Sequence, residues 1–547
     1  MLQLDISKID PYKIDQYDRW PVSQKELHDV RDALLKYSVQ YIRNSYKGQL
    51  KHTRILHISY IEIVRELLVM MRSNLVDKRT DHVEYVTKSY PYLNAIQNNS
   101  ALDKVAIQKL SFMKNLPAQP SNLTKKLRPF KLLFGHKVYK RKPLSRIRDN
   151  DIVTIATSSF IERHARNLKI HTNQKIVLNP LWEWYDASSI NITHFDIHNF
   201  DRINLIDNFL SGLLDILRTF NVDVTFEIAE ALESFSYFIM QYTGVYRDYL
   251  LSDEHKSKLP NTLWFGSVNA AHARILRACV QENGGYTIGH DHGRGIAAGI
   301  SHGELGTVFD FCDEFYTYSE FLANNERSIQ QDLKIYMPTQ KAVKFSFVPG
   351  VFLNTKDVRN YRSLIKSTSP KNKQKTVMLL VGVFMGEKIA GLNILPSDKT
   401  AFDFQIEFIK FFKKKGYNVI LKNHPENKFE YPEQLKNMPG VEIIGGYVED
   451  QIANVDLICL DFLSSAFKTI VMSDIPILFF DFGWADFSKK IRTELRTRIA
   501  ILEGKYNEYN APYVQWDCVA DEIKCANDRA SKNTDAFLER FYGMVDN

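Results

Sequence analysis

Cysteine is scarce: five residues in 547 (Cys279, Cys312, Cys459, Cys518, Cys525), an odd number without metal-ligand spacing. That excludes a disulfide scaffold and a zinc framework, and it points to reduced thiols in a cytoplasmic protein. Long apolar runs are missing too; none approaches the ~20 residues of a membrane helix. The start, Met1-Leu-Gln-Leu-Asp-Ile-Ser7, lacks the basic opening and apolar stretch of a secretory signal. No repeat of roughly 20–50 residues recurs, which excludes a solenoid.

What is present is the composition of a globular protein, 44% apolar and 25% charged. The chain is too long for one core, so two or more domains are expected. The net charge of +7 is unevenly spread. Residues 125–148 hold ten Lys or Arg and no acid, so the rest nets −3 (7 minus 10). Leu127, Phe130, Leu132, Leu133, Phe134 and Tyr139 are interleaved with these charges. Such a stretch is either a solvated linker or a segment that lies on an anionic membrane surface, at roughly 1 kcal/mol per basic residue. Nucleic acid is the third partner class a basic run suits, but no nucleic acid partner is expected here. The expected location is cytoplasmic, peripheral on the inner face of the cytoplasmic membrane if the basic run lies down there.

Apolar spacing of three and four over Leu27–Ile42 and Ile61–Met71 predicts a helical N-terminal region, 1–120, broken by Pro117 and Pro120. Strands at Ile152–Ala156, Lys175–Leu178, Thr262–Phe265, Tyr286–Ile288 and Phe315–Tyr318, with helices between, predict a parallel sheet in 121–350 whose last strand is Phe315–Tyr318. A Lys/Ser/Asn-rich run places a linker at 351–375. Strands at Thr376–Gly382, Tyr417–Leu421, Val441–Ile444, Val455–Leu460 and Ile477–Phe480 predict a second α/β domain over 376–547. The fold class is therefore α/β: two tandem Rossmann-like domains facing a cleft, preceded by helices.

Ligands of such sheets sit outside the carboxyl ends of strands. Two predicted strands end in polar groups: one at Lys422-Asn-His424-Pro425, the other at Asp461-Phe-Leu-Ser464-Ser465. A Lys neutralises phosphate charge, a His donates to a leaving phosphate, and Ser464 and Ser465 are suited to capping a helix at 466–471 whose start favours an anion. In the first domain, Gly289-His290-Asp291-His292-Gly293-Arg294-Gly295 follows a strand. Asp291 is placed to act as base or as nucleophile, and His290 or His292 to orient an acceptor. The alternative is a tight turn with locally bonded imidazoles. Trp182 and Trp184 follow another strand end, as sugar-stacking faces or as core. His290, His292 and His302 lack a Cys or carboxylate to complete a metal site, so none is expected. Gly293-x-Gly295-x-x-x-Gly299 is followed by too many glycines for a dinucleotide helix.

Lys-x-His-Pro, then about 40 residues, then Asp-x-x-Ser-Ser resembles the HP and SS motifs of bacterial capsule and lipopolysaccharide glycosyltransferases of GT-B type that use CMP-activated ulosonic acids (Kdo, sialic acid and relatives). The resemblance covers roughly 260–485. It implies a GT-B-like fold, a CMP-linked donor as substrate with no further cofactor required, and a glycan or glycolipid acceptor. It also implies Lys422, His424, Pro425, Asp461, Ser464 and Ser465 as nucleotide-binding residues. Asp291, His292 and His424 are the candidate catalytic residues; His290, Arg294, Trp182 and Trp184 are candidate acceptor contacts. The acidic D/E-D/E-G motif of several sialyltransferases is absent. CDP-glycerol polyol-phosphate transferases resemble the chain in the same two motifs and are the alternative. A nucleotide-sugar epimerase and a non-catalytic carbohydrate-binding protein complete the set.

Overall fold

The computed structural model describes residues 1–45, 50–98, 100–102, 104–105, 151–154, 175–178, 206–266, 271–291, 302–350, 353–368, 374–382, 384–387, 392, 396–424, 427, 429–446, 448, 451–464, 466–483, 487–507 and 510–546. The basic run at 125–148 lies outside them.

Two parallel sheets carry the fold. The first contains β3 (Asp151–Thr154), β4 (Lys175–Leu178), β5 (Thr262–Phe265), β6 (Tyr286–His290), β7 (Glu314–Thr317) and β8 (Lys344–Phe347) in the order β4-β3-β5-β6-β7-β8. A two-stranded pair, β1 (Leu2–Gln3) with β2 (Val83–Glu84), stands apart. The second sheet contains β9 (Thr376–Leu380), β10 (Asn418–Lys422), β11 (Val441–Ile444), β12 (Leu457–Leu460), β13 (Ile477–Asp481), β14 (Ala500–Tyr506) and β15 (Pro512–Val514). Its order is β11-β10-β9-β12-β13-β14-β15, parallel except for the edge strand β15. In each sheet the first strand lies inside and the chain winds outward both ways, the doubly wound pattern. The GT-B-like arrangement of two Rossmann-like domains is thus present.

Sequence explains the central strands directly. β9 and β13 are buried along their whole length and are almost continuously apolar, as parallel strands covered on both faces must be. Between β9 and β10 runs the helix Asp398–Lys414, whose N-cap Ser397 accepts from Thr400 N. It ends at Gly416, at φ +80°, a conformation that favours glycine. Phe404 and Phe408 pack this helix onto Phe480.

Three expectations change. Phe315–Tyr318 is not the last strand of the first sheet: β8 lies outside it, with Arg327 donating to its Phe345 carbonyl and Gln330 to the carbonyl of Val343 just before it. The second sheet extends beyond β13 through β14 and β15. The segment 351–375 contains a helix, Thr355–Thr368, whose Arg362 donates to Met472 O at 2.9 Å. The first was hidden by a short, half-exposed strand and the third by a helix written mostly in polar residues.

The N-terminal region serves both lobes. Ile6, Ile9 and Ile14 are buried with the apolar face of 398–414 in the second lobe. The helices Gln24–Ser45 and Leu50–Lys78 share a core with Phe226–Leu250, β5 and Ala271–Glu282 in the first. The C-terminal helix, Val519–Tyr542, returns to the first lobe, where Gly543 O accepts from Gly350 N at 2.9 Å.

Candidate functional site

Strand register fixes the first half of the site. Lys422 on β10 and Leu460 on β12 are both paired with Leu380 on β9, so the three strands end level. With neighbouring strands about 4.8 Å apart, Lys422 and the residue after Leu460 rise from positions about 10 Å apart. The chain reverses its direction of winding between β11 and β12, which flank this spot, so it is the switch point of the second sheet.

Lys422 is the last residue of β10 rather than the first of the loop. Its side chain is buried and Nζ donates to Asn423 O at 2.7 Å. The following turn is tied by Asn427 N to His424 O (3.0 Å) and Asn427 Nδ2 to Asn423 Oδ1 (2.8 Å). His424 is half-buried on that turn. Asp461 is only 2% exposed, and its Oδ1 has no hydrogen-bond partner among the described residues. Burial pushes its carboxyl up to about 7, against a small opposing pull from its own backbone amide. It is the least satisfied group at this edge.

Ser464 is half-buried, and its Oγ accepts from Ala466 N at 3.3 Å. The helix expected at 466–471 is Phe467–Val471, five residues, with Ala466 rather than a serine as N-cap. So short a helix has little dipole to offer an anion. Ser464 instead shapes the loop after β12, and its hydroxyl is what it brings to a ligand. Pro425 and Ser465 lie outside the described residues.

The loop after β9 borders the same edge. Asp398 accepts from Met385 N (2.7 Å) and Gly386 N (2.8 Å), while burial pushes its carboxyl up to about 6. Glu387 accepts from Ser73 Oγ, Tyr92 N and Leu93 N, and so fastens this loop to the N-terminal region. No motif marked Glu387; its partners are about 300 residues away in sequence.

In the first lobe β6 ends at His290. His290 is fully buried, its Nδ1–H donates to Phe265 O at 2.7 Å, and it packs edge-on against Trp264. It ties β6 to β5 rather than facing solvent. Asp291 comes next: 2% exposed, its amide donating to Tyr316 O (3.2 Å), its Oδ1 accepting from Tyr318 Oη (3.0 Å). His292, Arg294, Trp182 and Trp184 lie outside the described residues.

Sequence reading missed Glu326, on the helix Glu320–Leu333. It is fully buried, and neither carboxyl oxygen has a well-aligned hydrogen bond among the described residues. Burial first, and the Asp291 charge second, push it up to about 8; the Asn325 amide pulls weakly the other way. A signal existed: Leu322, Glu326, Ile329 and Leu333 share one helical stripe, which places an acid among core positions.

No family model matches the chain, and no curated protein matches it. Solved structures similar to it include Arabidopsis thaliana UGT89C1 complexed with UDP (13% identity, TM-score 0.35, covering 75% of this chain and 90% of that one). The same protein complexed with UDP-L-rhamnose gives 11% and 0.35 over 75% and 90%. The wall teichoic acid polymerase TagF gives 11% and 0.32 over 82% and 93%. Scores this low assign neither fold nor function; the strand order carries the fold.

Proposed function

We propose that the protein is a glycosyltransferase that moves a sugar of the ulosonic-acid class from a CMP-activated donor to a glycan hydroxyl. One observation carries the reading: Lys422, the His424 turn, Asp461 and Ser464 are gathered at the carboxyl edge of β10, β9 and β12, at the switch point of the second sheet. That is where a doubly wound sheet receives a nucleotide. Lys422 meets the phosphate as a point charge, His424 donates to it as it leaves, and the hydroxyls of Ser464 and Ser465 complete the donor set. Asp461, neutral below about pH 7, adds no negative charge beside the phosphate there.

Asp291, at the carboxyl edge of the other sheet, takes the proton of the acceptor hydroxyl or attacks the anomeric carbon. A departing CMP carries less charge than a nucleoside diphosphate, so less of it has to be offset by Lys422 and the hydrogen-bond donors beside it. The basic run 125–148 brings the chain to an anionic membrane surface on the cytoplasmic side, where a lipid-linked acceptor is found. The same Lys-x-His-Pro and Asp-x-x-Ser-Ser pattern supports a second reading, a CDP-linked polyol-phosphate transferase.

Thermal shift with CMP, CDP, UDP, GDP and NAD tests the site. A ligand at 100 times its Kd raises stability by about 2.7 kcal/mol. Selective stabilisation by CMP or CDP is expected; equal response to all five, or to none, overturns the assignment. Donors labelled in the phosphate then separate the two readings, since only the polyol-phosphate product retains the label.

A further inference from the structure

β6 and β7 are neighbours in the first sheet, with His290 paired to Tyr316. One step past that pair, Asp291 N donates to Tyr316 O at 3.2 Å, and Tyr318 Oη donates to Asp291 Oδ1 at 3.0 Å. Both side chains are buried, which strengthens the bond between them. The backbone of Tyr318 has little freedom. It lies in the two-residue connection, Tyr318-Ser319, between β7 and the helix Glu320–Leu333. Ser319 is the N-cap of that helix and accepts from Leu322 N at 3.3 Å, while Thr317 Oγ1 donates to Ser319 O at 3.0 Å.

The ring of Tyr318 is rooted in the other lobe. It shares one apolar core with Phe537, Leu538, Phe541 and Tyr542 of the C-terminal helix, a core that continues to Ile458 and Phe479 of the second sheet. Tyr542 is fully buried and packs on Tyr318 with ring centroids 5.6 Å apart. The C-terminal helix then ends against the backbone of Tyr318. Gly543, at φ +62°, has no room for a side chain: a Cβ there would lie 2.5 Å from Tyr318 O. A phenol gripped through its ring and its carbonyl by one lobe thus holds a carboxyl group of the other.

We propose that Tyr318 is a positioning residue for Asp291: its hydroxyl fixes one carboxylate oxygen, so that the carboxylate of the first lobe is oriented by a ring set in the core of the second. The inference rests on Asp291 being the reactive carboxylate of the proposed transferase, and it names the group that aims it. Rate falls steeply when a reacting atom is displaced, about 100-fold for roughly 1 Å. A donor held from two sides removes that freedom. A hydrogen bond that only fastened the lobes together would act on stability and leave turnover by the folded protein alone.

The test uses the full chain. Release of CMP from CMP-N-acetylneuraminic acid is followed well below the thermal midpoint, where every variant is folded. Tyr318→Phe keeps the ring and removes the donor; it should lower kcat about tenfold with donor KM unchanged. Tyr542→Leu keeps the core apolar and removes the ring behind Tyr318; it should lower kcat roughly threefold, again at constant donor KM. Ser488→Ala removes a different bond between the lobes, Ser488 Oγ to Asn325 Oδ1 at 2.8 Å, and should leave kcat unaltered. Full kcat in Tyr318→Phe or Tyr542→Leu, or an equal loss in Ser488→Ala, overturns the proposal. Difference infrared spectroscopy gives an arm that needs no turnover. The C–O stretching band lost in Tyr318→Phe belongs to Tyr318, and it should move in Asp291→Asn, where an amide oxygen replaces the carboxylate as acceptor. A band that stays in place overturns the proposal whether or not the transferase reading holds. Failure of that reading shows separately, as no CMP release by the parent protein while the band still moves.

Discussion

Lys422 shows how a single side chain acquires a task from its place on a strand. As the last residue of β10 it inherits the burial of the strand, yet its ammonium emerges where the sheet ends and finds a carbonyl at 2.7 Å. A bound phosphate would add a charged partner to that ammonium. A charged hydrogen bond is worth about 1.5–3 kcal/mol. Lys422→Met should therefore weaken CMP binding roughly 10- to 100-fold by calorimetry, with the unliganded thermal midpoint little changed. An unaltered Kd would remove Lys422 from the proposed nucleotide site. At the same scale, Asp461 and Glu326 differ from surface acids of identical chemistry only in being sealed from water. Nothing in the local sequence states that for Asp461, which follows an apolar strand as many exposed acids do.

At the level of elements, the strands β9, β10, β12 and β13 of the second sheet could be located from composition because parallel strands buried on both faces are written in nearly continuous apolar letters, whereas β14 and β15, half-exposed, could not. β8 could not: its run, Lys344–Phe347, alternates polar and apolar residues as an edge strand does, and four such residues fit a loop equally well. The helix after β12 was foreseen in position but not in length or cap, because Ser464 bonds to Ala466 N and so turns the chain before the helix begins. Long-range anchoring was invisible for a different reason: the loop after β9 is held by residues 73–93, and no local pattern records a partner that distant. Gly386 sits at the centre of that anchor. Its φ is +63°, and a Cβ there would lie 2.4 Å from Ser89 O. Gly386→Ala should cost a few kcal/mol and speed amide exchange across Ser89–Leu93 and the loop after β9 together. Exchange that rises in one segment and not the other would show the two to be independent.

For the whole molecule, buried acids make stability depend on alkalinity. The unfolded values of Asp461 and Glu326 are about 4, and their folded values are raised to about 7 and about 8. The folded chain therefore binds more protons than the unfolded chain between those limits, and stability falls as pH rises through them. His272, lowered to about 4 by burial, works the other way, but its effect is halved at pH 6.5, its unfolded value, and gone about one unit above. The thermal midpoint should accordingly drop from pH 6.5 to 8 and then level off. Asp461→Asn should make the drop below pH 7 shallower and leave the part up to pH 8, whereas Glu326→Gln should end the drop near pH 7. A midpoint that is flat or rising over this window in the parent protein would contradict the burial of both groups.

One strut joins these scales. The helix Leu50–Lys78 is 29 residues long, about 44 Å at 1.5 Å per residue. Near one end its Arg54 pairs with Glu282 and its His57 with Asp310, both in the first lobe. Near the other, Arg72 and Ser73 grip Gly386 O and Glu387 in the second. A beam pinned to two bodies fixes the angle between them, so jaw-like swinging is denied to this molecule unless one pin is drawn. Entry for the proposed substrate then falls to the segments that follow the strand tips, and selection among substrates to what they admit without the frame yielding.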